Sequence, residues 1–201
     1  MKKREIMKKI IIILLSIIII SAGLIACQKK SDEKNTLEIY LVSGALTDDK
    51  SIGIDSLILE KTPIITLDDI QRYYWEDQVF IMKKDLLSDR LNEQTGQTYT
   101  SRGFPYVVIA NGERIYMGKF WSHASSQHEF FTPLIYIELS FGAEGADYDL
   151  QPDEQIYEVT WIELQNDDND WKNLREQTEK TIWDERIYKV LKNAGKLSEG
   201  E

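Results

Sequence analysis

Between positions 37 and 164 apolar residues recur at every second place in seven short runs. These are LEIYLVS (37–43), IDSLILE (54–60), QVFIM (78–82), FPYVVIA (104–110), ERIYMGKFW (113–121), PLIYIEL (133–139) and EQIYEVTWIEL (154–164). Period 2 is the signature of strands with one buried face, so about seven strands are expected. Asn111-Gly112 lies between two of them, and this dipeptide accepts the positive φ of a type I′ hairpin turn. Pairing Ala110 with Glu113 then sets Val108 opposite Ile115, Tyr106 opposite Met117 and Phe104 opposite Lys119 on the face expected to meet the core. Ile109 opposite Arg114 and Val107 opposite Tyr116 make a second, mixed face, expected to be half covered.

Helical spacing is rarer. Thr66-Leu-Asp-Asp69 has the spacing of a capping box and predicts a single turn through Ile70. Positions 85–95 carry Leu86, Leu87 and Leu91 and stop at Gly96, a suitable C-cap, which predicts a short middle helix. The longest helix is expected over 170–194. Trp183, Ile187, Val190, Leu191 and Ala194 form its stripe, but Trp171 and Leu174 fall out of phase, so a break is expected near 178–181. Strands first and helices between hairpins or at the end make an α+β pattern: a mostly antiparallel sheet with a short middle helix and a long C-terminal helix. A β-sandwich with a C-terminal helix is the alternative. With no repeat or low-complexity linker, residues 36–194 read as one globular domain and 195–201 as a polar tail.

The first 26 residues follow a different rule. Positions 1–9 hold five basic residues and one acid, and Ile10 to Ala26 runs for 17 residues without a charge. As a helix that run is about 25 Å long, somewhat short of the roughly 30 Å hydrocarbon layer, and the layout is that of a signal peptide. Leu24-Ile25-Ala26-Cys27 at its end resembles the lipobox of bacterial lipoproteins. The resemblance implies acyl attachment to the Cys27 thiol, cleavage between Ala26 and Cys27, and a protein anchored in the cell membrane on its extracytoplasmic side. The competing reading makes Cys27 the last residue of an uncleaved anchor helix, and it exports the domain as well. Cys27 is the single cysteine, so an exported domain has neither a disulfide nor a thiolate for chemistry. Residues 27–35 then form the lipidated cysteine and a tether, whose eight residues after Cys27 reach about 16 Å.

Charge narrows the partners. The chain has 24 Lys plus Arg against 34 Asp plus Glu, a net charge of -10, which argues against a nucleic-acid binder. Loss of residues 1–26 removes five basic residues and one acid and lowers the side-chain balance to -14. The expected partners are the membrane through the lipid and an envelope protein or small ligand.

Candidate chemistry centres on WSHASSQHEFF, which holds both histidines, His123 and His128, with Ser122, Ser125, Ser126 and Glu129. No Gly-x-Ser-x-Gly elbow frames a Ser-His pair, and His-x4-His-Glu lacks the spacing of HExxH metalloenzymes. Asp167, Asp168 and Asp170 lack the glycine and the closing glutamate of a calcium loop and fit a helix N-terminus instead. No catalytic residue, metal or cofactor is therefore assigned. Aromatic residues point better to binding: Tyr73, Tyr74 and Trp75 are consecutive, Phe120-Trp121 and Phe130-Phe131 flank the histidines, and such rings supply contact area with a polar handle. Tyr116, Trp121, His123 and His128 are the candidate ligand-binding residues. The segments 63–82 and 103–126, with Gly-Phe-Pro-Tyr-Val-Val leading through Asn-Gly-Glu-Arg-Ile-Tyr to Phe-Trp-Ser, resemble a group of small lipoproteins of low-GC Gram-positive bacteria that has no established activity. That resemblance implies a shared fold and carries over no catalytic residue. The expectation is a non-catalytic binding module; an envelope-acting hydrolase or metal-dependent enzyme built on His123 and His128 is the alternative, and a small-ligand receptor a third reading.

Overall fold

A computed structural model of the chain describes residues 35–44, 53–98, 103–122, 133–137, 148–160 and 180–198. They belong to one compact unit that begins at Asn35. Its strands are β1 (Leu37–Leu41), β2 (Ile65–Thr66), β3 (Arg72–Tyr74), β4 (Val79–Lys83), β5 (Phe104–Ala110), β6 (Glu113–Trp121), β7 (Leu134–Tyr136), β8 (Glu154–Thr160) and β9 (Leu197–Ser198). Two α-helices lie wholly within the described residues, α1 (Leu86–Thr95) and α2 (Glu185–Asn193).

All nine strands join one sheet in the order β2, β1, β5, β6, β7, β8, β4, β3, β9. Six spacings of about 4.8 Å would put β1 and β3 about 29 Å apart if the sheet were flat. Instead Leu37 of β1 and Tyr73 of β3 line the same cavity of about 20 Å³, together with Val108 of β5, Tyr116 of β6, Val159 of β8 and Ile187 of α2. The sheet is therefore curled round one core. Leu87 and Leu91 of α1 and Ile187, Val190 and Leu191 of α2 enter that core, so the helices cover the apolar surface that the curl leaves open. The cavity has room for about one water.

Six of the seven expected strands form within the runs that predict them. The run 54–60 does not. Ile54–Ser56 is a single 3-10 turn, and only Leu59 makes a bridge, to Val42. The reason lies in Arg114, which donates from Nη1 to the Ile54 carbonyl at 2.5 Å and the Leu57 carbonyl at 3.0 Å, acceptors that a strand would offer to a neighbouring strand. The segment thereby lies as a strap across the outer face of β5 and β6. Leu57 is buried there against Val107 and Ile109, while Ile58 points out, 72% exposed.

The hairpin turns at Asn111 and Gly112, with φ of 53° and 84° as a type I′ turn requires. Its register holds for Ala110 with Glu113 and Ile109 with Arg114, then shifts at a β-bulge, so Val108 faces Tyr116, Tyr106 faces Gly118 and Phe104 faces Phe120. The expected pairs Val108–Ile115, Tyr106–Met117 and Phe104–Lys119 do not form. Regular pairing would have turned Lys119 toward the core and Phe120 away from it; one extra residue in β6 reverses both. Gly118 is then required, since a β-carbon there would collide with the Tyr106 phenol.

Three further expectations are corrected. Two neighbouring pairs run parallel, β6 with β7 and β3 with β9, so the sheet is mixed, and it is one sheet rather than a sandwich. At the C-terminus the break in the helix expected over 170–194 comes later than 178–181: residues 180–182 are helical, and the chain breaks at 183–184 before α2. The Asp184 carboxylate accepts the Arg186 amide at 2.8 Å and so opens a new helix; residues 170–179 lie outside the described residues. Finally, Leu197–Ser198, expected in a polar tail, pairs with Tyr73–Tyr74 as β9.

The middle helix agrees with its pattern, and Gly96 closes it in the left-handed region with φ of 74°. The turn at Thr66–Asp69 also forms, with the Asp69 carboxylate accepting both the amide and the hydroxyl of Thr66 at 2.7 Å. Arg90 of α1 adds a two-pronged pair to the same carboxylate at 2.6 and 2.8 Å. Burial pushes the Asp69 carboxyl up, but the hydrogen bonds from Arg90 and Thr66 outweigh it and hold the group below the usual aspartate value.

Candidate functional site

The aromatic triplet 73–75 is divided by the pleat and by a turn. Tyr73 points into the core, stacked on Phe80 with ring centres 6.1 Å apart, whereas Tyr74 turns to the outer face and meets Tyr148 edge-on at 4.7 Å. Trp75 begins the turn that leads to β4. Gln78 fixes that turn from within: it is buried, sits at φ 54°, donates from Nε2 to the Trp75 carbonyl at 2.8 Å, and accepts the Tyr73 hydroxyl at 2.9 Å.

Held in this way, Trp75 meets two rings from the far end of the chain. Trp183, just before α2, lies 5.4 Å away at 85°, and Tyr188 on α2 lies 5.2 Å away at 66°. These are edge-to-face contacts, the favoured arrangement for rings with a negative face and a positive edge. All three side chains are half-buried. The Lys192 ammonium stands 5.6 Å from the centre of the Tyr188 ring. Asp184 caps the helix at this point, and its hydrogen bonds from Arg186, opposed by partial burial, hold its carboxyl below the usual aspartate value.

This cluster offers ring surface with the Lys192 ammonium beside it. Among the described residues, no three His, Cys, Asp or Glu side chains come together to hold a metal ion. Tyr116 and Trp121, two of the candidate ligand-binding residues, are both in the interior and are not brought together: five positions apart in β6, they face opposite sides of the sheet. Tyr116 borders the cavity and shares a hydrogen bond with Tyr106, and burial pushes its phenol far up. The Trp121 ring packs on Gly103, where a β-carbon would meet it at 2.7 Å. His123, His128 and Glu129 lie outside the described residues, as do Ala26 and Cys27.

The sequence points to Trp75 through its neighbours Tyr73 and Tyr74, and to Trp183 only as part of a helical stripe. Tyr188 carries no signal of its own. Residues more than 100 positions apart meet because β9 and α2 return to β3, and local spacing holds no trace of that return. No protein-family model, curated protein or solved structure matches the chain.

Proposed function

We propose that the chain is an exported lipoprotein, anchored in the cell membrane by acyl groups on Cys27, and that its domain is a non-catalytic module binding another component of the envelope. The observation that carries this reading is Leu24-Ile25-Ala26-Cys27 directly after a charge-free run and a basic start. The compact unit supports it, since it begins at Asn35 and leaves seven residues after Cys27 for a tether. Two or three acyl chains, at about 0.8 kcal/mol per buried methylene, hold such a domain where a single chain would release it. In fold class the domain is α+β, its helices covering a sheet whose neighbours run mostly antiparallel.

Labelled fatty acid tests the anchor. The wild-type chain should take up the label and Cys27→Ser should not, the variant accumulating as the uncleaved precursor. Label retained by Cys27→Ser would refute lipid attachment at this residue.

A further inference from the structure

The domain has two ends along β1, and the tether leaves from one of them. Asn35 donates from Nδ2 to the Val190 carbonyl of α2 at 3.1 Å, and the Thr36 amide donates to Asn111 Oδ1 at 3.0 Å. The two residues before β1 are thus tied down, Asn35 to α2 and Thr36 to the tip of the hairpin. At the other end the Ser43 amide donates to the Ile58 carbonyl, and eight residues of extended chain separate Ser43 from Asn35, about 26 Å. A tether of seven residues, reaching about 15 Å from a lipidated Cys27, keeps the α2 end at the bilayer and leaves the Ile58 end beyond it.

The α2 end is also chemically unlike the rest of the domain. From Asp184, which caps α2, to Ser198 the chain carries four cations against two acids, although the balance after residue 26 is -14. Arg186 is paired with Asp184 and Glu113, and Lys189 with Glu185. Lys192 and Lys196 make no ion pair among the described residues. Ile187, Val190 and Leu191 bury the inner side of α2, so Lys189, Lys192 and Asn193 face outward, with Tyr188, Trp75 and Trp183 along one flank.

We infer that this face of α2, with its flanking aromatic rings, rests on an anionic phospholipid surface. Tryptophan and tyrosine rings settle at the level of lipid headgroups, and lysines on flexible stems reach the phosphates. The inference rests on the lipid-anchor reading. It adds an orientation that acylation by itself leaves free: α2 toward the bilayer, Ile58 away from it.

The test uses the full chain, acylated at Cys27 and reconstituted into vesicles of phosphatidylglycerol and phosphatidylcholine that contain a headgroup-quenching lipid. Acylation blocks Cys27, so Asn193→Cys and Ile58→Cys each supply one free thiol for a fluorescent label. Quenching should be several-fold stronger at position 193 than at position 58. Lys189→Glu combined with Lys192→Glu should reduce the quenching at 193 toward the value at 58 while the protein still floats with the vesicles. Equal quenching at the two positions, stronger quenching at 58, or no effect of the double charge reversal would overturn the orientation. Absence of the acyl mass on Cys27 would instead overturn the anchor reading, and the orientation with it.

Discussion

Phe104, Tyr106, Val108 and Ala110 turn one face of β5 into the curled sheet, while Val107 and Ile109 turn the other toward the strap at 54–59. Both faces are buried, by different means. The inner one shares a core with residues from β1, β3, β4, β6, β7 and β8 and both helices, and is closed by the topology of the whole chain. The outer one is covered by a few residues held by one bridge to the end of β1, Leu59 with Val42, and by one guanidinium that satisfies two carbonyls. A strand can therefore be apolar on both sides without sitting between two layers of secondary structure, provided that the carbonyls of whatever covers it find donors.

The largest break should come from Val108→Asp, which puts a carboxylate beside the cavity and away from any cation described there. A cost of several kcal/mol is expected, enough to unfold the domain or to lower its melting midpoint by well over 10 °C. An unchanged midpoint would mean that this face of β5 does not meet the core. Arg114→Met should do less: it leaves the carbonyls of Ile54 and Leu57 without their donor and costs about 1 to 3 kcal/mol. In urea unfolding that loss should appear together with faster proteolysis near residue 57. Retention of full protease resistance would show that the strap holds without the guanidinium. The smallest effect belongs to Ile58→Ser, since a side chain 72% exposed has little buried area to lose, and a change within about 0.5 kcal/mol is expected. A midpoint shift as large as that of Arg114→Met would place Ile58 among the covering residues.

The sequence is legible where one local rule governs. Asn111-Gly112 sets the hairpin and its first two pairs, and Leu86, Leu87, Leu91 and Gly96 set α1. It is less legible where two arrangements bury equally apolar sets. Ile115, Tyr116 and Met117 fit either face, so the bulge that chooses Tyr116 leaves no mark in the pattern; its benefit is felt at Gly118 and Phe120, farther along. In 54–60 alternation is present, but an arginine side chain takes the Ile54 and Leu57 carbonyls and only Leu59 bridges to the end of β1. β2, β3 and β9 have two or three residues each, too few to show a period. Of the candidate site, the ring-rich stretch at 73–75 is visible in the sequence, and its meeting with Trp183 and Tyr188 is not.

The parallel pairing of β9 with β3 has a consequence for the order in which the protein is made. Without Leu197–Ser198, β3 would be the outermost strand on its side of the sheet, its amides and carbonyls open to any extended chain nearby. The residues that cover it follow β3 by more than 120 positions and leave the ribosome well after it. The sheet cannot be completed before they appear, and pairings this distant in sequence are slow to form. Until then the open strand could capture a neighbour, and the same few residues end that interval.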